Sequence, residues 1–429
     1  MDLAVVCLIV LVAVVVVSCV SKLNVGLAAL AAAWIIGTYV APHYDSKITG
    51  ATVIAGFPVK LFLDLAGTTL LFAAAQANGT LALSVDYAVR LCGGRARLLP
   101  ALYFTLAALL AAIGPGNIAA SALLAPSALA LAARLNIPPL VMIIAVAHGS
   151  IAGGASSLTP IGLVIADNYV KHGLQAAFVS TITLNAVVNV VLAVFGFLIF
   201  GGRWWLSTPP AASETRSEDE RRTLELAPPS PRLNRSHVIT LAAVGGLIAA
   251  ALFVPNLSLG FAAITAAVVV FITRSAEEGS SIRSMPWNVI LLVAGVSTFV
   301  ALCEKTGAVE LISQSMKYIA DKRTIVGWSA FVTGLISIFS STSGVVLPTF
   351  LPTVGSTVAD VGGGDPASVA KAIVIGSNAV DVSPLSTIGA LCIAAAAKTF
   401  ETRPLFNRML LWGFAMAPLA ALVCQVLLR

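Results

Sequence analysis

Residues 149–162 read GSIAGGASSLTPIG, and residues 376–389 read GSNAVDVSPLSTIG. The two stretches align without a gap, 227 positions apart, and are identical at Gly149/Gly376, Ser150/Ser377, Ala152/Ala379, Ser156/Ser383, Leu158/Leu385, Ile161/Ile388 and Gly162/Gly389. The first lies inside an apolar run, Pro138–Ala166, and the second inside 368–397, each long enough to cross a bilayer. Paired glycines, serines and proline weaken or interrupt a helix. In hydrocarbon the freed backbone groups have no water to bond, so such breaks must face protein or a wet cavity.

The surrounding chain supports a membrane setting. It has 429 residues, 58% of them hydrophobic and only 10% charged, with a mean hydropathy of +0.97. Soluble domains carry about a quarter charged residues. Apolar runs of about 20 residues argue for spanning helices rather than the short alternating segments of an outer-membrane barrel. The first run, Leu3–Val20, has no basic leader and reads as a retained transmembrane helix. The six cysteines, at 7, 19, 92, 303, 392 and 424, show no metal-site or CxxC spacing and read as small apolar packing residues. The net charge of +6 is accounted for by basic loops that set topology, and nothing points to nucleic acid.

Candidate spans are 3–20, 24–41, 59–77, 138–165, 174–200, 236–254, 256–272, 287–303, 368–397 and 405–428. Two further apolar stretches, 98–133 and 324–360, are interrupted at GPGN (Gly114–Asn117) and SSTSG (Ser340–Gly344). Each is either two full spans or a re-entrant hairpin whose tip stops at mid-membrane. The segment 201–235 carries Arg203, Arg216, Arg221, Arg222, Arg232 and Arg235, which places it in the cytoplasm. Its Pro, Ser and Glu content marks a flexible linker. Arg90, Arg95, Arg97, Arg134, Arg274, Arg283, Lys398, Arg403 and Arg408 then also fall inside, whereas Lys317, Lys322 and Arg323 fall outside against the rule. Both readings of the interrupted stretches give this sidedness, and both put the two termini on the extracytoplasmic side of a cell inner membrane. With hairpins, each half has five spans, an odd number, so the second half is inverted relative to the first. The expected fold is an all-α polytopic membrane protein built from two inverted five-helix repeats, 1–200 and 236–429. Each repeat holds one re-entrant helical hairpin and one broken transmembrane helix.

Two further landmarks support the duplication. LAGTTLLFAAAQANG (65–79) aligns with VAGVSTFVALCEKTG (293–307), 228 positions on, and the interruptions at Gly114 and Thr342 are separated by the same interval. Inverted repeats broken at corresponding positions point to a secondary transporter with its site at the repeat interface near mid-membrane.

Four interrupted elements should therefore converge: tip one (Gly114–Ser121), break one (Gly153–Gly162), tip two (Ser340–Pro348) and break two (Asn378–Gly389). A half-helix that begins at mid-membrane aims unpaired N–H groups and a positive dipole end at the cavity, which suits an anion. No Lys or Arg falls in the four elements, so backbone dipoles, hydroxyls and co-bound cations must balance that anion. The candidate substrate ligands are Asn117, Ser156, Ser157, Thr159, Pro160, Thr342, Ser343, Ser383, Ser386 and Thr387. Alternatively, the hydroxyls bond carbonyls of their own helix and bend it. Exposed carbonyls at the breaks suit Na+. The candidate cation ligands are Gly114, Gly116, Asn117, Gly154, Ser341, Thr342, Asn378 and Asp381. Asp381, the only acid in the four elements, either binds a cation, carries a proton or bonds backbone N–H groups without changing state. His148 either carries a proton or touches substrate, or it is a satisfied core histidine. Asp64, within an early span, is read chiefly as the acceptor of an inter-helix hydrogen bond.

No HExxH, GxSxG or GxxxxGK[ST] is present, and no pair of acids sits in facing glycine-rich motifs, so neither an intramembrane hydrolase nor a nucleotide-driven pump is indicated. No cofactor is expected beyond a coupling Na+ or H+. KLNVGLAAL (22–30), IAGFP (54–58), TTLLFAAAQANGTL (68–81) and the GPGN tip resemble the MatC-type dicarboxylate carriers of the ion transporter superfamily, which are related to the divalent-anion:sodium symporters. The resemblance implies a homodimer in which scaffold helices (1–97 and 236–323) support transport elements (98–200 and 324–429) that move like an elevator. Thr159-Pro160 matches the Thr-Pro of the related broken helices, whereas the second break has Ser386-Thr387. The tips read Pro115-Gly116-Asn117-Ile118 and Ser341-Thr342-Ser343-Gly344 where the related symporters carry Ser-Asn-Thr. The expected function is secondary active transport of small carboxylates, foremost dicarboxylates such as malonate or succinate, coupled to Na+ or, as second choice, to H+. The other readings are a carrier of a different anion, a cation/proton antiporter of the same superfamily and, more distantly, a membrane enzyme or receptor-like binding protein.

Overall fold

A computed structural model describes residues 2–20, 23–81, 83, 96–207, 233–254, 257–308, 311, 318–338, 342–397 and 399–428. Ser340 and Ser341 of tip two lie outside the described residues, as do linker residues 208–232 and the topology markers Arg90, Arg95, Lys317 and Lys398, together with Cys92. Every regular element described is helical. The first half contains α1 (Leu3–Val20), α2 (Val25–Ile35), α3 (Gly50–Ala55), α4 (Val59–Ala77), α5 (Leu99–Ala112), α6 (Gly116–Arg134), α7 (Pro139–Gly153), α8 (Pro160–Lys171) and α9 (Phe178–Ser207). The same order recurs in α10 (Arg235–Phe253), α11 (Leu259–Ile272), α12 (Glu278–Ser284), α13 (Trp287–Lys305), α14 (Ile325–Ser337), α15 (Leu347–Phe350), α16 (Val354–Asp360), α17 (Pro366–Ala379), α18 (Thr387–Ala396) and α19 (Thr402–Leu427).

Local chemistry sets the helix starts. Asn24, Asn234 and Asp365 accept backbone N–H groups at the heads of α2, α10 and α17, and prolines occupy the first turns of α5, α7, α8 and α17, where a missing N–H costs nothing. Six helical stretches among the described residues are long and apolar enough to span a membrane, including Val59–Ala77, Gln175–Gly202 and Thr402–Leu427. The outer helices α9 and α19 expose Val179, Leu198, Leu411 and Val426, the lipid face of a multi-pass membrane protein.

Both interrupted stretches are hairpins. The incoming arm α5 has 14 residues and α14 has 13, so each is about 20 Å long and stops short of a hydrocarbon core of about 30 Å. The first turns back at Gly114 (φ +143°) and Gly116 (φ +77°), conformations that exclude a side chain at little cost only in glycine. In the second, α14 and the segment Thr342–Phe350 meet at 120°. Its returning arm opens with a π-helical turn, Thr342–Val346, and pauses again before α16.

The two halves interlock reciprocally. Helix α4 packs on α11 and α13 packs on α2. At each crossing two glycines let the backbones touch: a Cβ on Gly67 would lie 2.1 Å from the Gly260 carbonyl oxygen, and one on Gly295 would lie 2.0 Å from that of Gly26. Small residues at such crossings are how membrane helices gain close packing. Asp64 accepts the Gly260 N–H at 2.8 Å across the first crossing, the inter-helix bond its position suggested. Each hairpin arm lies along its own broken helix, α5 on α7 and α14 on α17.

Candidate substrate and ion site

The breaks are shorter than the sequence suggested. Break one runs from Gly154 to Thr159 and break two from Val380 to Ser386, so Asn378 belongs to the last turn of α17, and Gly162 and Gly389 to the first turns of α8 and α18. Thr159 and Ser386 occupy equivalent N-cap positions. Thr159 Oγ1 accepts the Gly162 N–H at 3.1 Å, and Ser386 Oγ accepts that of Gly389 at 3.4 Å. Both hydroxyls also sit within donor range of carbonyls in their own break, 2.8 Å from Ser156 O and from Ser383 O respectively. Ser156 Oγ donates to the Ala112 carbonyl at the end of α5, and Ser383 Oγ to the Ile338 carbonyl just past α14 at 3.3 Å. These four hydroxyls therefore bracket each break against itself and against its hairpin.

All four elements meet around one nearly closed cleft with a cavity volume of about 10 Å³, lined by Asn117, Ile118, Ile161, Thr342, Ser343, Asp381, Thr387 and Ile388. That is about the room one water needs, far below the ~300–1,000 Å³ of common ligand pockets, so the four elements are closed on one another here. Apart from Asp381, the lining side chains come from first turns: Asn117 and Ile118 of α6, Ile161 of α8, Thr342 and Ser343 of the π-turn that leads into α15, and Thr387 and Ile388 of α18. Three helix N-termini, each with about half a positive charge, and one π-helical turn thus surround the single carboxyl group among the described lining residues. Asp381 Oδ1 accepts from Thr342 Oγ1 at 2.9 Å and lies 3.4 Å from Ser337 Oγ, and the two hydroxyls are 2.6 Å apart.

Of the residues anticipated, Asn117, Thr342, Ser343, Asp381 and Thr387 line this cleft. Gly154 lies against Asn117, and Gly116 against Pro160, the first residue of α8. Gly114 instead abuts Phe72 of α4, where a Cβ would come within 1.7 Å of the ring. Ser157 is exposed and absent from the lining. His148 and Asn378 are buried outside the cleft, in a chain of polar side chains with Asn185, Asn189 and Trp412. Sequence reasoning missed Ser337, the three isoleucines and this chain. The one available signal was Asn185 and Asn189, two amides four residues apart in an otherwise apolar span.

A cleft enclosed by two hairpins and two broken helices, related by an internal repeat, is an arrangement that secondary transporters share. Over 91% of this chain and 89% of the other, the fold matches the crystal structure of the YdaH transporter of Alcanivorax borkumensis, described as having an unusual topology, with a TM-score of 0.57 at 15% sequence identity. Residues 1–154 match the family model described as the dicarboxylate carrier protein MatC N-terminus, so the resemblance seen in the N-terminal sequence is borne out over that segment. No curated protein matches the chain at a significant level.

Proposed function

We propose that the protein is a secondary transporter of small dicarboxylates, such as malonate or succinate, that moves its substrate with a coupling cation, Na+ by first choice and H+ by second. The observation that carries this reading is the convergence of three helix first turns and one π-helical turn on one cleft whose only charged lining residue, among those described, is Asp381. The N-termini favour an anion. Asp381 opposes it, and a co-bound cation or a proton on the carboxyl group removes that repulsion. The lining has two similar ends related by the internal repeat, with Ile161 of one half equivalent to Ile388 of the other. A molecule with a carboxylate at each end of a short methylene chain shares that pseudo-symmetry.

In this reading Asn117, Thr342, Ser343 and Thr387 hold the substrate, Asp381 and Asn378 serve the cation, and the hydroxyls of the breaks keep the half-helices in place. Residues 98–200 and 324–429 move as a transport domain against a scaffold of 1–97 and 236–323, within a homodimer of the inner membrane. The test is uptake of radiolabelled C3–C5 dicarboxylates into proteoliposomes under an imposed Na+ or pH gradient. Gradient-dependent accumulation of at least one acid is expected. Uptake that ignores both gradients for every acid would overturn the proposal.

A further inference from the structure

The polar chain behind the cleft spans four helices, α7, α9, α17 and α19, and its amides and imidazole are fully buried: His148, Asn185, Asn189 and Asn378 expose none of their surface. Its donors and acceptors can be assigned from both ends. At one end the Trp412 indole, which only donates, gives its Nε1–H to His148 Nε2 at 3.2 Å. Nε2 must therefore carry a lone pair, and the proton of the neutral ring sits on Nδ1, which donates to Asn189 Oδ1 at 2.8 Å. Asn189 Nδ2 then donates to the main-chain carbonyl of Asn185, one turn back in α9, at 2.9 Å, and reaches the Asn185 side-chain Oδ1 at 3.4 Å.

At the other end, α7 terminates at Gly153, so the Ile151 carbonyl has no N–H one turn on within the helix. Asn185 Nδ2 donates to that carbonyl at 3.1 Å. This fixes the Asn185 amide and turns its Oδ1 toward Asn378, whose Nδ2 donates to it at 3.1 Å. One acceptor in the chain is left over: Asn378 Oδ1 is buried and has no hydrogen-bond partner. A buried carbonyl oxygen without a donor is costly unless a ligand supplies the missing positive charge. Asn378 lies three residues before Asp381, at the C-terminal and therefore negative end of half-helix α17.

We infer that Trp412, His148, Asn189 and Asn185 form a polarised hydrogen-bond relay that orients Asn378, so that its Oδ1 is offered to a desolvated monovalent cation at the second break. The inference rests on the cation-coupled reading and deepens it. His148 is a positioning residue here, acting on the ion through Asn378. The relay runs from the last helix of the second half, through two helices of the first, back to a broken helix of the second. The cation site is thus assembled from both repeats.

The test uses the full-length protein in detergent, with thermal stability titrated against NaCl at ionic strength held constant by choline chloride. A cation that binds the folded state raises the melting temperature with a defined midpoint. In Trp412→Phe and His148→Leu the midpoint is expected to rise about 5- to 10-fold, the effect of losing one oriented hydrogen bond. His148→Asn retains an N–H facing Asn189 and is expected to stay within about twofold of the unaltered protein. Asn378→Leu is expected to abolish the response. A lower baseline melting temperature with unmoved midpoints in Trp412→Phe and His148→Leu would reduce the relay to packing and overturn the inference alone. No Na+-dependent rise in the unaltered protein would overturn the Na+ reading and the inference together. Solid-state NMR of histidine-labelled unaltered protein, with His148 assigned by difference against His148→Asn, gives an independent readout. The Nδ1–H tautomer is expected, and an Nε2–H ring would reverse the relay and overturn it.

Discussion

The side chains of Ser156 and Ser383 show how a hydroxyl in a broken helix acts through its partner. Each reaches across to a carbonyl at the tip end of its own hairpin arm, Ala112 and Ile338 respectively. Those carbonyls lie at the end of a helix or just past it, where intrahelical donors run out, so a serine there supplies a bond that hydrocarbon would not. The double variant Ser156→Ala/Ser383→Ala should lose about 1 kcal/mol of stability per bond while its dicarboxylate affinity stays within about threefold. Thermal unfolding and isothermal titration of the purified variant check the two parts separately. A large loss of affinity at unchanged stability would move these hydroxyls from the frame to the substrate. Asp381 and Thr342 differ from these serines in lining the cleft. Nothing in the spacing of serines along the chain separates the two cases, since the deciding partner lies more than forty residues away.

The broken helices themselves were readable from sequence because glycine, serine and proline in an apolar run have few other uses. Their edges were less so: Gly162 and Gly389 look like helix breakers but sit inside the first turns of α8 and α18. Their real constraint is contact. A Cβ on Gly162 would lie 1.7 Å from the Ser156 carbonyl oxygen, and one on Gly389 would lie 1.9 Å from that of Ser383. The capped turn folds back so tightly that only glycine fits. Gly162→Ala or Gly389→Ala should therefore destabilise the protein by about 1–3 kcal/mol. Gly245→Ala in α10, where an added Cβ meets nothing within 4 Å, should gain up to about 1 kcal/mol from helix propensity. Melting temperatures of the three variants decide this, and equal behaviour would mean that the breaks relax freely around an added methyl. The relay was illegible for the opposite reason. Its members at 148, 185, 189, 378 and 412 form no local pattern, and only the interleaving of the two repeats brings them together.

Among the contacts between the described elements, two kinds bear on how the halves could move against each other. Where α4 meets α11 and α2 meets α13, backbones touch through paired glycines, and Asp64 adds a hydrogen bond to the first crossing. Sliding there would separate close backbone packing and strand a buried carboxylate. The hairpin tips make a different contact with α4 and α13: Gly114 faces the Phe72 ring, and Gly344 faces the Leu292 side chain, 2.2 Å from where its Cβ would stand. A tip without a side chain, resting on an apolar side chain, can leave and be replaced at modest cost. An elevator movement, if this protein uses one, must break the second kind of contact and keep the first. A Leu292→Cys/Gly344→Cys pair, in a background with the six native cysteines replaced, tests that division. Oxidation should join the tip to α13 and stop dicarboxylate uptake, while a dicarboxylate still raises the melting temperature of the locked protein, and reduction should restore transport. Continued uptake by fully cross-linked protein would show that the tip and α13 travel together. The boundary between moving and fixed parts would then lie elsewhere than between these two elements.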